Sequence, residues 1–274
     1  MKNKKKAAGV LIFCCILLAL LIGSIVTGAG AEKESVQEVM RDAVLHESDR
    51  ISLFGLIEVN PGFVSAVIVT AVLLLFAACV RVFAIPRFRY VPGRFQLLLE
   101  QLVGLFDNLA RSNSPHRNGF LGAYIFGAGV YIFTGTIFEL FGVQAVTARG
   151  ASVALPAPLS DVNAAIALGC LSYVIILSGG IAGNGLRGVG KTLKDFSLPI
   201  SMSFRLFGAL LSGLLVTELV YYYIQLSFVL PVLVGVLFTL LHALIQTYVL
   251  TMLTALFYGE VSEPGKKKKR RIPA

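Results

Sequence analysis

Apolar residues fall along this chain in long, nearly uncharged runs, not in the short alternating patches of a soluble domain. The runs cover Ala8 to Gly28, Gly62 to Val80, Gly119 to Phe138, Val162 to Gly183, Pro199 to Thr217 and Gln225 to Tyr258. Each is about long enough to cross a ~30 Å hydrocarbon layer as a helix. Because the runs are continuously apolar, they exclude a membrane β-barrel, whose strands alternate. A different pattern occupies residues 94 to 111. There Phe95, Leu98, Leu99, Leu102, Phe106 and Leu109 recur at helical spacing, with Gln96, Glu100, Asp107 and Arg111 opposite. That period predicts a helix lying on a membrane surface, not crossing it. As one helix the final run would be longer than the hydrocarbon layer is thick, so it must tilt, bend or protrude. Between the spans from 119 and 162 the prolines Pro156 and Pro158 predict an external loop. Gly183 to Leu198 reads as a short loop on the other side.

Composition agrees with this pattern: 56% of residues are hydrophobic and only 14% are charged. The fold class expected is an all-α integral membrane protein with five core spans. An N-terminal signal or anchor helix and the amphipathic surface helix would be added to these, and the last two helices would be long and tilted. Residues 1–31 read equally as a secretory signal, with small residues Ala29, Gly30 and Ala31 before Glu32, and as a retained anchor. Residues 32–61 form a polar, acidic-rich external segment, 62–260 the membrane domain and 261–274 a basic tail.

The net charge of +9 could suggest nucleic acid, but its distribution argues for membrane orientation. With the N-terminus inside, 19 of the 24 basic residues fall on the cytoplasmic side, including Arg81 to Arg117, Arg187, Lys191, Lys194 and the tail from Lys266 to Arg271. Lys33, Arg41, Arg50 and Arg149 fall outside. Such asymmetry is what sets the topology of membrane chains, and the tail suits an anionic leaflet. Cys14, Cys15, Cys79 and Cys170 all lie in apolar runs without CxxC spacing. They read as packing residues and call for no metal or cofactor.

The residue that stands out is Arg205, placed inside an apolar span. A guanidinium does not escape burial by losing its proton. At the centre of a membrane it costs about 2.5–3.5 kcal/mol on insertion scales, so it usually faces a partner or an aqueous path. Snorkelling to the inner headgroups is the bland alternative. Ala209, Ser212 and Gly213 follow at i+4, i+7 and i+8, a small-residue face where another helix can approach. Since few intramembrane carboxylates lie within reach, the partner is expected on another subunit. His242 and Gln246 share one face of the last span. Glu139, Asp161, Asn163, Glu218 and His242 suggest an ion path at the outer side. As the plain alternative, Glu139 and Asp161 mark helix ends, Asp161 as an N-cap.

Gly185 to Thr192 matches G-x-x-x-x-G-K-[ST], the phosphate-binding loop pattern. That chemistry needs a strand before the loop and a parallel sheet around it. A membrane span precedes this one, and Pro199 follows within seven residues. The match is therefore read as a basic cytoplasmic loop that binds no nucleotide.

The stretch Pro199-Ile200-Ser201-Met202-Ser203-Phe204-Arg205-Leu206-Phe207-Gly208 resembles the signature around the essential arginine of the F-type ATP synthase a-subunit. Val91-Pro92-Gly93-Arg94-Phe95-Gln96 with Glu100 resembles that family's inner amphipathic segment. Ser160-Asp161-Val162-Asn163 resembles the start of its fourth helix, and Gln246 to Thr254 resembles its last helix. The resemblance covers most of residues 52 to 260. It implies a non-catalytic channel subunit of a bacterial plasma-membrane rotary complex, with its C-terminus cytoplasmic. Two half-channels would meet a ring of c subunits, with Arg205 between them and Gln246 beside it. Its other partners would be b-type peripheral stalk subunits and membrane lipid, with no nucleic acid and no directly bound nucleotide. The chain departs from the family pattern at Ala209, where asparagine is usual, at Leu214, with Glu218 one turn on, and at Thr239, with His242 one turn on. These departures suit a relocated outer path and are compatible with sodium as well as proton coupling. Two other readings fit the residues alone: a secondary transporter using Arg205 at its substrate site, and an intramembrane enzyme using His242 and Glu218.

Overall fold

A computed structural model describes residues 51–53, 57–146, 150, 152–222 and 230–264, with 14, 15, 18 and 22 besides. The signal-or-anchor reading of residues 1–31, almost all of the external segment before 51 and the tail from 265 lie outside the described residues.

Five helices are long and apolar enough to cross a membrane. The first, α1 (Pro61–Cys79), starts where Asn60 caps it: the Gly62 N–H donates to Asn60 Oδ1 at 2.9 Å, and Pro61 takes the first helical position. Proline suits that place because its missing N–H would have no helical partner. The helix then passes through a π turn at Val80–Ala84 and a 3-10 turn at Ile85–Arg87. A short hairpin, β1 (Ile51–Leu53) with β2 (Ile57–Val59), precedes it. Only the first half of α1 is packed, through Ser65 and Val69. Beyond that Val72, Leu74, Leu75 and Phe76 are exposed, as lipid-facing side chains are.

The amphipathic helix α2 (Arg94–Asn113) forms as its periodicity predicts. Phe106 and Ala110 are buried against α3 (Gly119–Phe138), with the Phe106 and Phe126 rings edge to face at 5.7 Å. Leu98, Leu102 and Leu105 remain exposed. The polar side closes on itself, with an Arg111–Asp107 ion pair at 2.7 Å and Gln96 Nε2 donating to Glu100 at 2.7 Å.

The connection after α3 contains the prolines of the expected external loop. Gly142, with φ of 57°, ends the α3 extension, and a hairpin follows: β3 (Gln144–Val146) with β4 (Ser152–Ala154). Leu155 to Ser160 is then buried throughout, including Pro156 and Pro158. Apolar Leu155, Ala157 and Leu159 carry it inward. Proline offers no N–H to leave unsatisfied there, and Ser160 Oγ donates to the Ala157 carbonyl at 2.7 Å. This segment is a plug against α1, α3 and the sixth helix.

Helix α4 (Val162–Asn184) returns to the end from which α3 started. The basic loop expected at 183–198 is instead mostly helix: α5 (Leu186–Lys194), reversed by Gly185 at φ 60°. Glycine weakens an isolated helix, yet Gly188 is needed here, since any Cβ there would overlap the Gly180 carbonyl. The last pair is α6 (Ser197–Tyr222) and α7 (Leu230–Ser262). The final helix ends past Tyr258, where the apolar run stopped. Its 33 residues span about 50 Å. Helix α7 lies centrally, with Leu250, Ala255 and Tyr258 in one core with Ile125 and Ile132 of α3, Ile176 of α4, and Met202 and Leu206 of α6.

Contacts between elements define two ends. Gly62 meets Asp161, and Gly135 meets Pro158, at one; Gly183 meets Ser262, and Gly259 meets Asn113, at the other. Among the described residues, every Lys and Arg except Arg205 belongs to the second, basic end.

Candidate functional site

Helix α6 carries Arg205 about 12 Å from its first residue. The turn before it is held by Ser203, whose hydroxyl donates to the Pro199 carbonyl at 2.7 Å. Gly169 of α4 presses against both, so closely that a side chain there would collide with Ser203. Met202, Leu206 and Leu210 face the core. Ser201, Arg205, Gly208 and Ser212 are exposed. Spaced by four, three and four residues, these four form one stripe on the outer surface of α6. A Cβ at Gly208 would meet nothing within 4 Å, and the Ser212 hydroxyl turns back to the Ala209 carbonyl at 2.8 Å. Among the described residues no carboxylate pairs with Arg205.

Helix α7 crosses behind this stripe. Gln246 is buried and its Nε2 donates to the backbone carbonyl of Arg205 at 3.4 Å, while its Oε1 has no hydrogen-bond partner. The glutamine thus touches the arginine's main chain, tying the two helices together at the level of the charge. Two turns further along α6 the helices approach again. Gly213 faces His242, and a Cβ at Gly213 would stand 3.4 Å from His242 Nδ1. Phe238 lies beside the imidazole, ring centroids 5.8 Å apart. The face of Ala209, Ser212 and Gly213 expected beside Arg205 is therefore split. Gly213 receives α7 of this chain, whereas Ser212 stays open, with Gly208 open on the same stripe.

The remaining candidates lie apart from this pair. Asp161 caps α4, accepting from the Asn163 N–H at 2.8 Å, and its side chain packs on Gly62 at the start of α1. Asn163 is exposed. Glu139 opens the 3-10 turn that extends α3, at the same end of the bundle. Near it, Leu140 approaches Gly235 of α7. Glu218 belongs to α6, but its side chain lies outside the described residues. The arrangement brings Arg205, Gln246 and His242 onto one α6–α7 contact, and leaves Glu139, Asp161 and Asn163 around the plug.

Two features went unread in the sequence. The open stripe was legible in the spacing of Ser201, Gly208 and Ser212 about Arg205. The His242–Gly213 contact was not, because nothing local sets the register of two helices. Among the described residues, no three His, Cys, Asp or Glu side chains gather as they would around a metal ion. The nucleotide-loop pattern falls in α5, where Lys191 and Thr192 are helical and Thr192 is buried. No strand precedes it, so the phosphate-cradling geometry is missing.

Comparison with known proteins places the chain. Residues 63–259 match the family described as ATP synthase A chain, a span taking in the five membrane helices almost whole. Proteins named ATP synthase subunit a from two strains of Cereibacter sphaeroides are each 26% identical to it over 199 residues, which is 68% of this chain and 76% of theirs. With Arg205 set in one of five apolar spanning helices, the chain belongs to the ATP synthase A chain family, the multi-pass membrane subunit of the ion-translocating Fo sector.

Proposed function

We propose that this chain is the static ion-conducting subunit of a rotary ATP synthase, with Arg205 as the fixed charge between two half-channels. The observation that carries the reading is the open stripe on α6. An arginine in an apolar span, exposed and without an acidic partner among the described residues, requires an external one. Gly208 and Ser212 leave room beside it for a second helix to approach closely. A ring of small c subunits, each with a membrane carboxylate, is the occupant that meets both demands.

The mechanism follows from charge. A carboxylate passing Arg205 is favoured in its ionised form, because a nearby cation lowers its proton affinity. An ion therefore leaves the ring on one side of Arg205 and joins it on the other, and cannot leak straight across. Each charge moved is driven by about 2.3 kcal/mol per 100 mV. Gln246 holds the α6 backbone at the arginine and so sets the height of the charge. His242 lies beside Gly213 on the α6–α7 contact, and Ser212 lies on the open stripe. With Glu218, Glu139, Asp161 and Asn163 they line the half-channel from the end away from the basic residues. The asymmetry of Lys and Arg supports a cytoplasmic position for the basic end. Peripheral stalk subunits of b type hold the chain still against the ring, and the chain itself touches no nucleotide.

The test is ATP-driven acidification of inverted vesicles carrying the whole complex, comparing wild type with Arg205→Ala at matched assembly. Loss of coupled pumping in the variant is expected. A sodium-dependent ATPase without proton uptake would retain the mechanism and change the ion. Undiminished pumping by the variant would sink it, leaving Arg205 a snorkelling side chain.

A further inference from the structure

Helix α5 presents three different faces in nine residues. Gly188 and Thr192 make the first and are buried. Gly188 lies on Gly180 of α4, and the Tyr173 hydroxyl donates to the Thr192 carbonyl at 3.1 Å. Leu186 and Leu193 make the second, 91% and 56% exposed, and Phe196 continues it just past the helix at 65%. Arg187, Lys191 and Lys194 make the third, spaced by four and three residues and all exposed. Asp195 follows in the chain, and Glu263 is tied through its backbone carbonyl to Asn184 at 2.8 Å. Neither acid forms an ion pair with the three cations among the described residues. The helix is thus clamped to a membrane span while an apolar and a cationic stripe stay open side by side.

We infer that α5 is a docking surface for anionic phospholipid at the basic end of the bundle. Its apolar stripe would enter the acyl region and its cations would contact headgroup phosphates, as a short basic amphipathic helix does at an interface. The charge complementarity is local, and the clamp to Gly180 holds the cations at a fixed depth. Helix α6 begins three residues after Lys194, so headgroups bound at α5 also set the depth of the helix that carries Arg205. Leu186, Arg187 and Lys191 of this surface also fall within the pattern Gly185 to Thr192 that resembles a nucleotide loop. Here Arg187 and Lys191, with Lys194 beyond the pattern, recognise phosphate esterified in a lipid. This inference depends on the membrane fold and not on the ion-conducting role.

The chain contains no tryptophan, so Leu193→Trp supplies a single reporter on the apolar stripe. The full chain is placed in nanodiscs of phosphatidylcholine containing either brominated phosphatidylglycerol or brominated phosphatidylcholine at equal mole fraction. Stronger quenching by the brominated phosphatidylglycerol is expected. A basic residue near an anionic surface adds roughly fivefold in affinity, so adding Arg187→Gln, Lys191→Gln and Lys194→Gln together brings the two lipids to parity. Arg187→Lys with Lys191→Arg and Lys194→Arg preserves the preference, which separates charge from any disturbance of folding. Equal quenching of the unaltered basic face by both lipids would overturn the inference, as would quenching by neither. A shift of the emission by ATP or inorganic phosphate in lipid-free detergent would overturn it also, assigning the cations to a soluble phosphate.

Discussion

At the scale of single residues, Arg205 was legible because a permanent charge in an uncharged run has no innocent place to go. Its surroundings were less so. Gln246 lay on the right face of α7, yet only the folded chain puts its amide on the Arg205 carbonyl and not on the guanidinium. Asp161 shows how one residue can satisfy two readings. Its carboxylate caps α4 through the Asn163 N–H, which accounts for an acid at that position without any ion path. The two roles separate by substitution. Asp161→Asn keeps a capping oxygen and changes stability by only a few tenths of a kcal/mol, whereas Asp161→Leu costs about 1 kcal/mol. Thermal unfolding of the purified complex checks both. If Asp161→Asn also leaves ATP-driven ion uptake at the wild-type rate, Asp161 is a cap alone and drops out of the proposed path.

At the scale of elements, the spans followed from run length and the α2 helix from its 3.6-residue period. Features whose form depends on a neighbour were not legible in the same way. Residues 155 to 160 carry the prolines of the expected external loop, and their burial arises because α1 and α6 cover them and Leu155, Ala157 and Leu159 face inward. Helix α5 contains glycines that weaken a helix in isolation, by up to about 1 kcal/mol each. It forms because Gly188 permits contact with Gly180. The two glycines of α5 should therefore respond in opposite ways. Gly188→Ala overlaps the Gly180 backbone and should destabilise the chain by about 1–3 kcal/mol. At Gly190 a Cβ meets nothing within 4 Å, so Gly190→Ala should stabilise by about 0.4–1 kcal/mol. Thermal shift assays on the two variants in one lipid mixture check the pair, and equal effects would contradict the packing of α5 on α4.

At the scale of the whole molecule, the clustering of cations at one end gives the proposed orientation a direct check. Tyr90 stands fully exposed at the basic end, held there by Gln96, which bonds to both the N–H and the carbonyl of Arg89. Phe141 is 74% exposed at the other end. With the native cysteines replaced, a membrane-impermeant maleimide should label Tyr90→Cys in inverted vesicles and Phe141→Cys in right-side-out ones. The reverse pattern would turn the chain over and exchange the two half-channels. What the sequence determined by itself is whatever depends on local free energy: which segments are long and apolar enough to span a bilayer, which helix is amphipathic, and which charge falls within a span. The tertiary structure alone decided the register of α6 on α7, which sets Gly213 against His242 and Gln246 against Arg205, and the burial of the plug between spans distant in the chain. The reason is physical. Membrane insertion is a sum over consecutive residues, whereas helix packing depends on which small residues happen to coincide across an interface, and no local pattern encodes that coincidence.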